Sequence, residues 1–107
     1  MVFAINRTED FEADLDEAIS YLVNVLKNPC AAESLIDGIE EKINIIERNP
    51  CLYGVSRKPI LHKACCRECF IENYAIIYEI SGATVNLIAL FHQRQLYEMQ
   101  FLRRVHE

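Results

Sequence analysis

The side chains best suited to bind a metal or undergo redox chemistry form one cluster, His62-x-x-Cys65-Cys66-x-x-Cys69. Histidine nitrogens and cysteine thiolates are the usual ligands of zinc, and closely spaced cysteines are also typical of redox motifs. We expect residues 65–71 to form a β-strand, in which Cys66 and Cys69 point to opposite faces. Cys65 and Cys69 would share a face about 13 Å apart, which is too far for one ion. The sequence therefore predicts no metal site, and we interpret the cysteines as reduced, small apolar residues.

Charge is distributed unevenly along the 107 residues, whose formal net charge is −5. Residues 1–56 contain eleven acidic and four basic side chains, giving −7, whereas residues 57–107 contain five acidic and seven basic ones, giving +2. We therefore expect any anion-binding surface in the second half and a solvated acidic scaffold in the first. The total argues against a protein that mainly coats nucleic acid.

The composition is that of one globular domain, which we expect to span residues 1–107. Apolar residues make up 51% of the chain, too many for an intrinsically disordered protein. The longest apolar runs are five residues long, so no segment is predicted to span a membrane. The chain does not open with a basic segment followed by an apolar one, so we expect a cytoplasmic protein.

The first half shows the pattern of two helices after a short apolar strand at residues 2–5. Thr8 is suited to cap the first helix, because its hydroxyl can accept a hydrogen bond from a free backbone N–H. Asn28 and Pro29 end that helix and begin a second one, since Asn caps well and Pro suits the first helical position. The second helix ends before Asn49, which precedes a proline. The short link predicts an antiparallel helix hairpin.

The second half changes to patterns that are typical of β-strands. Residues 50–64 contain two prolines and a glycine and are predicted to form a loop. Runs rich in Ile, Val, Tyr and Phe follow at residues 65–71, 74–80 and 84–91, and their short separators predict a three-stranded antiparallel meander. Residues 96–105 predict a short C-terminal helix. The fold class is α+β: an N-terminal strand and an antiparallel helix hairpin packed on an antiparallel sheet, with a short C-terminal helix.

Several segments match the motifs of one known group of proteins. Residues 67–80 have an arginine before an apolar strand, an Asn-Tyr turn and a second strand that carries a tyrosine. The next strand closes on His92-x-Arg94, and the helical sequence Asp-Leu-Asp-Glu-Ala-Ile-x-Tyr at residues 14–21 also fits. In these motifs, and in the order of its elements over about residues 3–97, the chain resembles the RelE/ParE superfamily. The resemblance implies a toxin of a bacterial type II toxin–antitoxin pair. Its small antitoxin would lay an amphipathic helix or strand across the sheet or the helix hairpin.

The resemblance leaves the target open, because ParE-like members poison DNA gyrase without chemistry and RelE-like members cut mRNA on the ribosome. Cleavage by attack of a 2′-hydroxyl needs a base, an acid and cations near the phosphorus. For that alternative the candidate catalytic residues are Arg67 as phosphate clamp, His92 as acid or base, and Arg94 and Tyr97 beside them. The candidate substrate-binding residues occupy the preceding loop and are Arg57, Lys58, His62 and Lys63.

The acidic total and the lack of a dense basic surface favour ParE-like action over RNA cleavage. A third interpretation is a non-toxic interaction domain on the same scaffold. We expect no cofactor, and we expect as partners a cognate antitoxin and either DNA gyrase or the ribosome with its mRNA. Structural roles for the same residues also stay open. Arg67 would pair with a neighbouring acid, His92 would be hydrogen-bonded at the strand end, and Tyr74 and Tyr78 would pack in the core.

Overall fold

A computed structural model describes residues 2–94 and 98–106, and within these ranges the chain forms four strands, four α-helices and one π-helical turn. In chain order they are β1 (Ala4–Arg7), α1 (Glu9–Ser20), the π-helical turn (Tyr21–Val25), α2 (Pro29–Arg48), α3 (Pro59–Lys63), β2 (Arg67–Ile71), β3 (Tyr74–Ser81), β4 (Thr84–His92) and α4 (Glu98–His106). The predicted α+β class is confirmed. In the described ranges no helix has both the length and the apolar character needed to cross a membrane.

The helix hairpin begins and turns at the caps that the sequence predicts. The Thr8 hydroxyl accepts a hydrogen bond from the Phe11 amide at 3.2 Å, and the Asn28 side chain accepts one from the Ala31 amide at 3.1 Å. Each bond satisfies a backbone donor that a helix start otherwise leaves unpaired. Pro29 is the first residue of α2, where its missing N–H costs nothing.

The end of the first helix is widened into the π-helical turn, which the hydrophobic pattern does not reveal. Its closing bond runs from the Leu26 N–H to the Tyr21 carbonyl at 3.0 Å, five residues back. Lys27 then adopts the left-handed region, with φ of 54°, before α2 begins. No residue of the turn is buried. Such turns are rare in proteins and are frequently found at functional sites.

The strands form one sheet in the order β1-β4-β3-β2. β2, β3 and β4 make the predicted antiparallel meander, whereas β1 joins β4 in parallel, so the sheet is mixed. The helix hairpin after β1 is long enough to allow this parallel pairing. A bulge interrupts the pairing of β3 with β4: Ile77 faces Ala89 and Tyr78 faces Leu87, so Ile88 is the extra residue.

The sheet carries an apolar core on each face. α1 and α2 cover one face, which we call the hairpin face, and Tyr78 is completely buried there. The other face is covered through Leu61 of α3 and Phe101 of α4. Because of the bulge, Ile88 and Ala89 both pack into this second core.

The segment before β2 differs from its prediction. Residues 50–64 contain the short helix α3, and β2 begins at Arg67 rather than at Cys65. Cys65 has φ of 58°, a left-handed conformation that a strand does not accept. Its N–H donates to the His62 carbonyl at 2.9 Å, which closes the end of α3.

Both ends of the chain also differ slightly from their predictions. β1 occupies Ala4–Arg7 instead of residues 2–5, because Phe3 donates its N–H to the Glu47 carbonyl at 2.9 Å and not to a strand. The C-terminal helix is described from Glu98 to His106, and its predicted start at residue 96 lies outside the described residues.

Candidate functional site

Arg67 is the first residue of β2 and lies on the hairpin face, opposite Tyr78 of β3. Its guanidinium donates a hydrogen bond of 2.7 Å to the backbone carbonyl of Tyr53, and the residue is half-buried. A charged donor on a carbonyl is one of the stronger hydrogen bonds in a protein. The contact therefore ties the loop after α2 to the edge strand. The partner is a carbonyl, not the neighbouring acid that the structural interpretation of the sequence expected.

His92 is the last residue of β4 and packs against Tyr74, the first residue of β3. The two rings are 5.2 Å apart at 72°, an edge-on arrangement. The Nδ1 atom of His92 accepts a hydrogen bond of 3.1 Å from the Arg94 backbone N–H. An accepting Nδ1 leaves Nε2 to carry the ring proton of the neutral imidazole. The Arg94 side chain is exposed, and Tyr97 lies outside the described residues.

The strand register separates Arg67 from His92. Arg67 is paired with Tyr78, and His92 is paired with Tyr74, four residues away along β3 and on its other side. Four residues of strand span about 13 Å and two strand spacings about 10 Å, so the two positions are about 16 Å apart. The structure thus brings His92 and Arg94 together but does not bring Arg67 to them.

The four candidates in the segment before β2 divide into two groups, and two of them, His62 and Lys63, lie in α3. Lys58 forms a salt bridge of 3.0 Å with Glu68, whose side chain is 7% exposed. His62 donates from Nδ1 to the Ser56 carbonyl at 3.0 Å. In contrast, the described structure gives the exposed side chains of two further candidates no hydrogen bond or ion pair. These are Arg57 and Lys63.

Two cysteines of the cluster, Cys66 and Cys69, lie on opposite faces of the sheet, as the sequence predicts. Cys69 packs in the core of the hairpin face and Cys66 in the core of the other face, and both are buried. Burial raises the pKa of the Cys66 thiol to about 11, because the thiolate would lose its hydration there. Among the described residues no three His, Cys, Asp or Glu side chains are placed to hold a metal ion.

His92 also lines a groove of about 730 Å³, which runs between the first helix and α4. The sequence does not reveal this groove, because its walls come from elements that are far apart in the chain. A partial signal was present, since Asp14, Glu17 and Tyr21 are three and four residues apart and so share one helix face. Six of the residues that line it are Asp14, Glu17, Tyr21, Tyr74, His92 and Arg104.

Asp14 and Arg104 join the two walls of this groove. The Arg104 guanidinium donates two hydrogen bonds to the Asp14 carboxylate, at 2.8 and 2.9 Å, and lies 4.9 Å from the centre of the Phe91 ring. Asp14 also accepts the backbone N–H of Leu90 at 3.0 Å. The hydrogen bonds to Asp14 raise the pKa of Arg104, with smaller contributions from the acids Asp10 and Glu17 nearby. The expectation of a solvated acidic scaffold in the first half is therefore wrong for Asp14, whose side chain is 11% exposed.

One family model matches most of the chain, and a solved structure shares its fold. The model of the ParE toxin of the type II toxin–antitoxin system parDE matches residues 5–97. No curated protein sequence matches the chain. Among solved structures, a chain of the chromosomal ParDE toxin–antitoxin system from P. aeruginosa is similar, with a TM-score of 0.68 and 18% sequence identity. The match covers 85% of this chain and 96% of the other. At this identity the structural match establishes the fold alone, whereas the family model covers most of the sequence.

Proposed function

Because the chain belongs to the ParE family of toxins of type II toxin–antitoxin systems, we propose that it arrests bacterial growth by binding DNA gyrase. In this proposal the toxin acts in the cytoplasm, performs no chemical step of its own and is neutralised by a cognate antitoxin. The support for ParE-like action is the family match over residues 5–97. The support for a mechanism without chemistry comes from the positions of the candidate catalytic residues.

The observation that carries this choice is the separation of Arg67 from His92. An RNA-cleaving site needs its cation and its acid or base around one phosphate, within hydrogen-bond reach of the reacting atoms. A distance of about 16 Å between the two positions is too large for that arrangement. Arg67 is also engaged with the Tyr53 carbonyl at 2.7 Å. These two residues are therefore better interpreted as parts of the scaffold.

Two cations of the more basic half support the same choice. Lys58 is neutralised by Glu68 and Arg104 by Asp14. A protein that binds ribosomal RNA relies on many cations directed at phosphates. In this chain several of the cations in the more basic half instead stabilise the fold.

The deciding experiment compares two assays on the same purified protein. We expect the protein to block supercoiling by DNA gyrase in a concentration-dependent manner, and to leave mRNA intact in a translating ribosome extract. The variant His92→Asn tests the RelE-like alternative, because Asn keeps an acceptor for the Arg94 N–H but does not titrate near neutral pH. It should inhibit gyrase as the unchanged protein does. Cleavage of mRNA that is lost in His92→Asn would overturn the proposal and establish the ribonuclease alternative.

Expression in a bacterial host that lacks the antitoxin tests whether the chain is toxic at all. We expect growth arrest that is relieved when the antitoxin is supplied from a second plasmid. Harmless accumulation of folded protein would exclude both toxic mechanisms. It would leave the third interpretation, a non-toxic interaction domain.

A further inference from the structure

One face of the first helix changes from acidic to apolar along its length. Asp10, Asp14, Glu17 and Tyr21 follow one another at spacings of four, three and four residues, which places them on the same face. The π-helical turn then presents Val25 on the same groove. The groove wall is therefore acidic near the start of the helix and apolar at its end.

The apolar end is open to solvent. Tyr21 is 49% exposed and Val25 is 63% exposed, although the preceding turns of the same helix bury Phe11 and Leu15 almost completely. Tyr74 adds a half-buried ring to this end of the groove. Contiguous exposed apolar side chains within a groove are typical of a surface that another molecule covers.

The acidic end keeps an excess of negative charge. Arg104 is committed to Asp14 through both of its terminal nitrogens. Asp10 and Glu17 make no hydrogen bond or ion pair within the described part of the chain, but both lie within electrostatic range of Arg104. Asp14 and Glu17 line the groove, and Asp10 lies one helical turn before them outside its lining. The three carboxylates against one guanidinium give this region a formal charge of about −2 at neutral pH.

We propose that this groove binds the neutralising segment of the antitoxin, and that this segment has apolar side chains at one end and lysines or arginines at the other. The apolar end of the segment would cover Tyr21 and Val25, and its basic end would lie beside Asp10 and Glu17. Charge complementarity carries the choice of occupant, since a second copy of this acidic helix would bring like charges together. The inference rests on the proposed function, in which the chain is a toxin held by an antitoxin.

The first test uses two labelled synthetic peptides of equal length, and fluorescence anisotropy measures their binding. Both have the same apolar half of Leu and Ala, and the other half carries lysines in one peptide and glutamates in its counterpart. We expect the lysine peptide to bind at least about ten-fold more tightly than the glutamate peptide. Equal affinity for the two would overturn the proposal.

Two variants of the protein locate the binding to the two ends of the groove. Glu17→Lys should weaken the lysine peptide by about five-fold and strengthen the glutamate peptide, because it reverses the charge at the acidic end. Val25→Asp should weaken both peptides by about ten-fold, since it places a charge where apolar surface is covered. Both positions are exposed, so circular dichroism and thermal unfolding should show a folded protein.

A matched control separates groove binding from general attraction to an acidic protein. Asp37→Lys makes the same change in net charge as Glu17→Lys, but at an exposed position of α2 outside this groove. It should leave both affinities within about two-fold. A loss equal to that of Glu17→Lys would overturn the proposal.

The antitoxin itself is tested by co-purification with a candidate antitoxin, the product of a small reading frame that adjoins the gene. We expect capture by the unchanged chain and by Asp37→Lys, and strongly reduced capture by Val25→Asp. Capture that all three share equally would show that the antitoxin binds elsewhere. Self-association of the chain that Val25→Asp abolishes would identify a second copy as the occupant. Neither binding test involves gyrase, so a failure of the proposed target leaves their results interpretable.

Discussion

The two tyrosines of β3 on the hairpin face show how differently the two ends of this sheet are built. Tyr78 is completely buried, and its hydroxyl donates to the Pro50 carbonyl at 2.7 Å. Tyr74, four residues earlier on the same face, is half-buried beside His92 and lines the groove. The difference arises from the covering segments. The loop after α2 closes the end at Tyr78, whereas the first helix ends in an exposed π-helical turn near Tyr74.

A residue's type and its position in a strand therefore do not decide whether it supports the fold or is available for binding. We call the end of the sheet at Tyr78 the closed end. Arg67 lies there, and the sequence makes it a candidate phosphate clamp, but its guanidinium binds the Tyr53 carbonyl. We call the end at Tyr74 the open end. The groove there presents the exposed side chains of Tyr21 and Val25 and more carboxylates than cations. We therefore expect changes at the closed end to affect stability, and changes at the open end to affect binding.

The largest effect is expected for Tyr78→Phe. The substitution keeps the ring but removes the hydroxyl, so the buried Pro50 carbonyl loses its donor. An unsatisfied buried acceptor costs about 2 kcal/mol, and we expect the free energy of unfolding to fall by this amount. Urea unfolding followed by circular dichroism measures it. A change below about 0.5 kcal/mol would mean that the closed end is not held by this bond.

Arg104→Met comes second, because it removes the guanidinium that joins α4 to the first helix. Methionine keeps an apolar stem over Phe91 but leaves the poorly exposed Asp14 carboxylate with only the Leu90 N–H. We expect a loss of about 1–2 kcal/mol in the free energy of unfolding and faster proteolysis within α4.

A double-mutant cycle provides the control for this pair. Asp14→Asn keeps an oxygen for the Leu90 N–H and removes the charge, so the double variant should lose less than the sum of the two single losses. Strict additivity would contradict a direct interaction between Asp14 and Arg104.

The caps and the meander were predictable because they depend on short-range chemistry. Thr8 and Asn28 each bond a backbone N–H three residues ahead, and the hairpin connections of the meander lie between adjacent strands. The groove was not predictable, because Asp14 and Arg104 are ninety residues apart. The role of Arg67 was not predictable either. Its partner is a backbone carbonyl, and because every residue has one, the sequence does not indicate which carbonyl is bound.

Cys66 is buried in the core on the other face of the sheet, and the change of stability at alkaline pH reports on its burial. The pKa of this thiol is about 11 in the folded protein against an ordinary value of 9.0, so the folded state holds the proton more tightly. Its stabilising contribution is complete below pH 9 and is lost as the pH rises from 9 through 11.

Chemical unfolding at several pH values measures this dependence. Burial also raises the pKa of Tyr78, which acts in the same direction at higher pH, so the comparison is made with Cys66→Ala. The slope between pH 9 and 11 should become smaller in Cys66→Ala and stay unchanged in Cys51→Ala, whose side chain is exposed in the native protein. Equal slopes in the two variants would assign the dependence to other groups.

The smallest effect on stability is expected for Tyr74→Phe, the counterpart of Tyr78→Phe at the open end. The Tyr74 hydroxyl makes no hydrogen bond within the described residues, and the edge-on contact of the ring with His92 is retained in phenylalanine. We expect the free energy of unfolding to change by less than about 0.5 kcal/mol, since the substitution removes no hydrogen bond to a described residue. The same urea titration as for Tyr78→Phe measures the difference between two identical chemical changes on one strand face. Equal losses at both positions would show that the open end is as tightly structured as the closed one, and the groove would then be a poor candidate for a binding surface.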